Sequence, residues 1–294
     1  MQRSRFFIVH NSRAGRNARV RYDAVLANLY RAGASIDIVE TVTFDNGVEV
    51  AAAAALTESF DTIVAAGGDG TVRSVATGIL GRPTPLGIIP TGTADVYARE
   101  LGMPRNPAAL AQVLLQGRQR EIPVGEIDGR LFLFVVGVGF DAEAASLFEA
   151  RGHRVLGRTG LAWSAIEAIF MSQYQQLKLE TENGNSDARW IIATRTKRYA
   201  AGRMLAPDAN PLQEQFYVLH TNGKYFARVV QLAALGIGLF RNVPGLTVEA
   251  VRWVKITGDP RTAVQIDGEV TGGLPLEIRV HNKKLAVILP KWAT

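Results

Sequence analysis

Over the first 120 residues the chain changes its hydrophobic period again and again. Phe6–His10 is a short apolar run that ends at Asn11-Ser12, the pattern of a strand entering a loop. Val20, Ala24, Leu26, Ala27 and Tyr30 recur at helical spacing within 19–31, and Gly33 closes that segment. Residues 35–42 alternate as a strand, and 48–56 are Ala-rich and helical. Residues 61–66 form a continuous apolar run that stops at Gly67-Gly68. Helix is predicted for 71–80, strand for 85–89 and helix for 94–101. Such alternation predicts a doubly wound, mostly parallel sheet with helices on both faces, an α/β domain.

Beyond about residue 120 strand-like runs dominate: 131–138, 177–182, 190–196, 216–220, 247–256, 263–266, 276–280 and 285–289. Asn183-Gly184-Asn185, Asn222-Gly223 and Gly272-Gly273 are turn signals between several of them. Helical segments are predicted at 141–150, 157–173 and 225–240. The expected division is an α/β domain over 1–120 and a β-sandwich-like domain over 121–294, with the strand near 285–290 returning to pack on the first domain.

Composition narrows the function. The chain of 294 residues is long enough for two cores, and 47% hydrophobic with 20% charged residues is an ordinary globular balance. Without cysteine there are no disulfides, thiolate nucleophiles or Cys-based metal sites. The net charge of +6 suits a nucleotide, an anionic lipid surface or nucleic acid equally. That excess is spread along the chain, and no basic stripe with interleaved aromatics appears, so no nucleic-acid partner is expected. No apolar run approaches the roughly 20 residues that span a bilayer; the most apolar, 229–240, contains Gln231. The four histidines, His10, His153, His220 and His281, lack ligand-like spacing.

The chemistry concentrates in two loops. Gly67-Gly68-Asp69-Gly70-Thr71 follows a predicted strand and opens a helix, the place where open parallel sheets bind ligands. Glycines admit a phosphate chain close to the backbone, and the helix start offers unpaired N–H donors. A carboxylate at Asp69 repels phosphate but suits a magnesium ion or a substrate hydroxyl. The same loop is also compatible with a turn in which Asp69 caps a helix. Pro90-Thr91-Gly92-Thr93-Ala94-Asp95 repeats the strand–turn–helix form at the next strand end, where Thr93 has the alternative of capping the helix that follows.

Together these loops resemble the diacylglycerol-kinase catalytic family, which includes sphingosine, ceramide and bacterial lipid kinases. The matching residues are Gly67–Thr71, Val75, Gly78, then Pro90, Gly92, Thr93, Ala94, Ala98, Arg99, Leu101 and Gly102. The likeness continues in Gly137-Val138-Gly139-Phe140-Asp141-Ala142, in Gly202 with Pro207 and Ala209, and in Asp267-Gly268-Glu269. It implies that Asn11, Ser12, Arg13, Ala14 and Gly15, with Thr41, Gly67, Gly68, Asp69, Gly70, Thr71 and Thr93, line an ATP site. It also implies Mg²⁺ at Asp69, Asp267 as general base and Glu269 in support. Asp267-Gly268, taken alone, is equally a common hairpin turn.

Three departures stand out. Asp95 replaces the family's usual Asn, placing an extra carboxylate that repels nucleotide or holds a cation. Ser12 replaces Pro. Gln213-Glu214 replace an Asp-Gly pair that helps hold a structural Mg²⁺ in some bacterial members, so that second metal is not expected.

The resemblance implies a cytoplasmic enzyme at the inner membrane face that phosphorylates the hydroxyl of a lipid such as diacylglycerol. The cluster Arg151, His153, Arg154 and Arg158 is the candidate contact with anionic lipid. The acceptor lipid and assembly into a homodimer are left open. Alternatives are a catalytically weak nucleotide- or lipid-binding relative, favoured by Asp95, and an NAD kinase, whose family shares the Gly-Gly-Asp-Gly-Thr loop. Gly68→Val is expected to abolish nucleotide binding, and Asp267→Asn to slow transfer while sparing stability.

Overall fold

The computed structural model describes residues 2–11, 16–139, 142, 176–199, 203–223 and 245–292. The chain divides into two units, Met1–Val124 with Asn282–Thr294, and Gly125–His281. The first part of the chain holds β1 (Arg5–His10), α1 (Arg16–Arg31), β2 (Ser35–Glu40), α2 (Phe44–Leu56), β3 (Thr62–Gly67), α3 (Asp69–Ile79), β4 (Leu86–Pro90), α4 (Val96–Glu100), α5 (Pro107–Gln116) and β5 (Arg118–Ile127). There follow β6 (Arg130–Phe132), β7 (Val135–Gly139), β8 (Leu177–Thr181), β9 (Gly184–Ala188), β10 (Trp190–Thr194), β11 (Arg198–Tyr199) and β12 (Arg203–Met204). Last come β13 (Phe216–Thr221), β14 (Thr247–Val251), β15 (Trp253–Thr257), β16 (Val264–Ile266), β17 (Glu269–Val270) and β18 (Leu276–Leu289).

In the first unit β1 pairs in parallel with β2 on one side and β3 on the other, and β3 pairs with β4. The chain therefore changes direction of travel across the sheet at β1, a topological switch point. Every position of β3 and β4 is buried, as a parallel strand covered on both faces requires. Helix α1 packs on α5, and α2 on α3. The α2–α3 approach depends on small residues. Ala51, Ala54 and Ala55 are buried, and a Cβ at Gly78 would lie 2.5 Å from the Val48 carbonyl.

Helix α5 escaped the periodicity reading, although its start carries a local signal. Asn106 Oδ1 accepts from the Ala109 N–H at 3.0 Å, and Pro107 occupies the first helical turn, where its missing N–H does no harm.

The second unit contains a six-stranded antiparallel sheet in the order β14-β13-β10-β7-β16-β17. A second layer pairs β9 with β8, β8 with β15, and β15 with residues 276–279 of β18. One apolar cluster joins the layers, with Val136, Ile191 and Phe216 from the first sheet and Leu179, Val254 and Ile278 from the second. This is a sandwich core.

Three expected strands come out differently. Residues 247–256 are two strands, β14 and β15, that break at Arg252 and enter different sheets. The alternation continues through the corner, so periodicity alone cannot locate it. The runs 276–280 and 285–289 are one strand, β18, whose Val287 pairs with Leu86 of β4 in the first unit. The predicted helices 157–173 and 225–240, the Arg151–Arg158 cluster, and 141–150 except Ala142 lie outside the described residues. Among the described residues no helix is long and apolar enough to cross a membrane.

Candidate active site

In the first unit the predicted nucleotide residues stand at the C-terminal ends of parallel strands. Asn11 follows β1 and its N–H donates to the Ala66 carbonyl at 3.0 Å. Thr41 follows β2, is buried, and donates its N–H to the His10 carbonyl at 2.9 Å. The Thr91 N–H donates to the Gly67 carbonyl at 3.0 Å. Backbone pairing thus continues past the strand ends and holds three loops beside the switch point. Ser12, Arg13, Ala14 and Gly15 lie outside the described residues.

Gly67 and Gly92, in the loops after β3 and β4 (the third and fourth loops), have separate steric reasons. A Cβ on Gly67 would collide with the Thr71 side chain, which folds back over the strand end. A Cβ on Gly92 would lie 2.6 Å from the Gly68 Cα and 2.8 Å from Asp95 Oδ1. The loops touch backbone to backbone. Gly68 is the N-cap of α3 and offers no side chain, so the first amides of α3 receive no side-chain cap from it.

Asp69 caps a helix, but not its own. Its Oδ2 accepts from the Val96 N–H and its Oδ1 from the Tyr97 N–H, both at 3.0 Å, across 27 and 28 residues. These are the first amides of α4, so one carboxylate ties the third loop to the fourth. Thr93 is consequently not the cap; its residue is exposed on the loop. Burial raises the Asp69 pKa, opposed by the Tyr97 and Val96 amides and by Arg99.

Asp95 occupies the N-cap position of α4 with φ 47° and ψ 46°. This left-handed conformation favours Asn or Asp among residues with a side chain, which gives a physical reason for either residue here. Its Oδ1 turns back to accept the Gly92 N–H at 2.8 Å, and its Oδ2 lies 4.0 Å from the Arg21 guanidinium. Burial pushes its pKa up to about 6; the Gly92 bond opposes this, Asp69 adds to it, and Arg21 and Arg99 oppose it.

A pH prediction follows for Asp95→Asn. Below about pH 4 Asp95 is protonated in both folded and unfolded chains. As pH rises toward 6 the unfolded chain releases a proton that the folded chain retains, so wild-type stability falls. Asparagine keeps the Oδ1 acceptor and the left-handed backbone but has no proton to release. The variant should therefore gain on wild type between pH 4 and 6 and hold that gain above pH 6. A gap on the order of 1–2 kcal/mol is expected once residual solvent screening is included. Urea denaturation at pH 4, 5, 6 and 7.5 checks it; a gap independent of pH would refute it.

Magnesium fits this loop only as a companion of the nucleotide. Among the described residues no group of three or more His, Asp or Glu side chains could hold a metal. Asp69 already uses one acceptor direction on each oxygen for an amide and retains others. One carboxylate plus phosphate oxygens and water is a common way for Mg²⁺ to bind beside a nucleotide.

In the second unit Asp267 and Gly268 take φ 50° and 89°, the two positive values of a tight hairpin turn between β16 and β17. The Asp267 carboxylate is buried. Its Oδ2 accepts from the Leu133 N–H at 2.8 Å, and its Oδ1 from the Phe134 and Val135 N–H groups at 3.0 Å. Asp267 is thus both a turn residue and the acid that fixes the segment leading into β7. Glu269 opens β17 and is exposed.

Around Gln213 a buried arginine holds the backbone. Arg195, almost fully buried, donates from Nη1 to the Gln215 carbonyl at 3.1 Å, and from Nη2 to the Pro211 carbonyl at 2.9 Å and the Gln213 carbonyl at 3.0 Å. Nothing in the local sequence singles out this arginine. Arg195→Met should leave three carbonyls without these donors and lower unfolding free energy by roughly 3–5 kcal/mol. Chemical denaturation would show it; a loss under 1 kcal/mol would mean that water replaces the guanidinium.

Two family models match the chain. Residues 5–127 match the diacylglycerol kinase catalytic domain, and residues 134–289 match the YegS C-terminal NAD kinase beta sandwich-like domain. The chain belongs to the diacylglycerol kinase family, in the branch that joins these two domains. It is 27% identical over 299 residues to a diacylglycerol kinase of Bacillus subtilis (strain 168), covering 99% of this chain and 97% of that protein. A diacylglycerol kinase of Staphylococcus aureus (strain JH9) is 23% identical over 297 residues, covering 98% and 93%. A crystal structure of a diacylglycerol kinase from Bacillus anthracis str. Sterne superposes with a TM-score of 0.74 at 16% identity, covering 100% of this chain and 99% of that one. Another structure from the same strain reaches a TM-score of 0.82 at 19% identity, covering 100% and 97%. At such identities the two structures speak for the fold alone.

Proposed function

We propose that this protein transfers the γ-phosphate of MgATP to the hydroxyl of a membrane lipid, with diacylglycerol the first acceptor to test. The observation that carries the reading is the pair of glycine loops at the ends of β3 and β4. They touch at Gly68 and Gly92 and are tied by Asp69, inside a diacylglycerol kinase catalytic domain.

Phosphoryl transfer asks little covalent chemistry of a protein. It asks for positioned phosphates, neutralised charge and an acceptor for the hydroxyl proton. The open amides at the start of α3, with Asn11, Thr41 and Thr93, would hold the nucleotide. Bound Mg²⁺ would supply charge neutralisation at the phosphate oxygens, held by Asp69. Asp267 is the proposed base: three amides fix its carboxylate in place, and a carboxylate is a group that can accept a hydroxyl proton. Glu269, exposed beside the turn, is proposed to support it by its charge. The enzyme would meet its lipid as a peripheral protein at the cytoplasmic face of the membrane.

The test is transfer of label from γ-phosphate-labelled ATP to lipids in mixed micelles, with NAD as a parallel acceptor. Labelled product from diacylglycerol or another hydroxylated lipid, and none from NAD, is expected. Formation of NADP without any lipid product would overturn the proposal.

A further inference from the structure

We propose that Arg21, on α1, is a phosphate-binding residue of this chain, held at the nucleotide loops by Asp95. The inference rests on the nucleotide-site reading above and adds a cation to it.

Arg21 reaches the loops through a short series of contacts. Its Nη2 stands 4.0 Å from Asp95 Oδ2, Asp95 Oδ1 accepts the Gly92 N–H at 2.8 Å, and Gly92 abuts Gly68. The guanidinium head is therefore one carboxylate away from the closest approach of the two glycine loops. At 4.0 Å the pair attracts by charge but is too long for a hydrogen bond. The Arg21 Nε is buried, with no hydrogen-bond partner among the described residues. In the same fourth loop the Thr91 Oγ1 is also buried without such a partner. Buried donors are nearly always paired, so two unpaired ones beside one loop call for an acceptor.

The charge balance points the same way. The fourth loop carries Asp95 where a neutral Asn would accept the Gly92 N–H as well, and Asp69 lies behind it. Two carboxylates beside an anion-binding loop oppose phosphate. A guanidinium at the same place offsets one of them and brings a planar fork of donors suited to phosphate oxygens. The arrangement fits an arginine parked on Asp95 that turns its donors to the phosphate chain when nucleotide enters.

A plain counterion for Asp95 would show the same 4.0 Å pair, so the test must separate the two roles. Binding of ATP and AMP would be measured by calorimetry for wild type, Arg21→Gln, Asp95→Asn and the double variant, with melting temperatures in parallel. Arg21→Gln should weaken ATP about tenfold to a hundredfold, and AMP less. That loss should persist in the Asp95→Asn background, and Arg21→Lys should recover part of it. A loss that disappears once Asp95 is Asn would overturn the proposal and leave Arg21 as a counterion. If Arg21→Gln melts early, the decision passes to Arg21→Lys. That variant should bind ATP more weakly than wild type by several-fold, and unchanged affinity for ATP and AMP would overturn the proposal. Wild type without measurable ATP binding would overturn the nucleotide site itself, and Arg21 with it.

Discussion

Asp267→Asn is expected to slow single-turnover phosphoryl transfer by about 10²–10⁴ at saturating MgATP, the usual range for loss of a positioned base. It is also expected to destabilise the second unit, contrary to what the Asp-Gly turn by itself suggests. Asparagine tolerates the φ of 50° as well as aspartate does. The difference lies in the carboxylate's partners. One oxygen receives Phe134 and Val135 and the other Leu133, all three of them backbone donors. An amide keeps one oxygen and turns an NH₂ group toward an N–H on the remaining side. Leaving a buried donor unmet costs about 1–3 kcal/mol. The measurement is the transfer rate of the folded fraction together with urea denaturation of both proteins. A variant that loses stability but transfers at nearly the wild-type rate would make Asp267 a purely structural acid.

Gly92→Ala should separate the two glycine loops and reduce ATP affinity by at least tenfold. A methyl group there meets the Gly68 Cα at 2.6 Å and Asp95 Oδ1 at 2.8 Å, and a backbone atom cannot yield as a side chain does. Overpacking of this kind costs roughly 1–3 kcal/mol. Gly68→Ala is the matched control, because its Cβ would sit 3.3 Å from the Gly92 Cα and needs only a small shift. Calorimetry with MgATP on both variants reads the difference; equal affinities would mean that loop contact does not shape the site. Glycine at 68 is not required by the backbone conformation. Its φ of −84° is open to any residue, so Gly68→Val would act by crowding Gly92 and the phosphates, not by backbone strain.

Local sequence stops being informative at identifiable places. The doubly wound order, the strands that end just before Asn11 and Thr41 and at Gly67 and Pro90, and the Asp267-Gly268 turn are all set by features within a few residues. Side-chain period, glycine at strand ends and Asp-Gly before a strand act locally, so they can be read locally. Even α5 was legible in Asn106-Pro107. The split at Arg252 and the continuity of β18 were not, because alternation has the same period on both sides of a corner.

The sequence by itself marked the candidate residues and placed them on two α/β loops and a hairpin. Tertiary structure alone decided what each charged group does there. Asp69 caps α4 from 27 and 28 residues away, Asp267 gathers amides 132–134 residues away, and Arg195 binds carbonyls 16–20 residues away. Asp95, which reads as a repulsive intruder, is a left-handed cap that binds Gly92 and faces Arg21. The reason is physical. A buried charge must find donors or a counterion wherever packing brings them, and packing joins residues without regard to their separation along the chain.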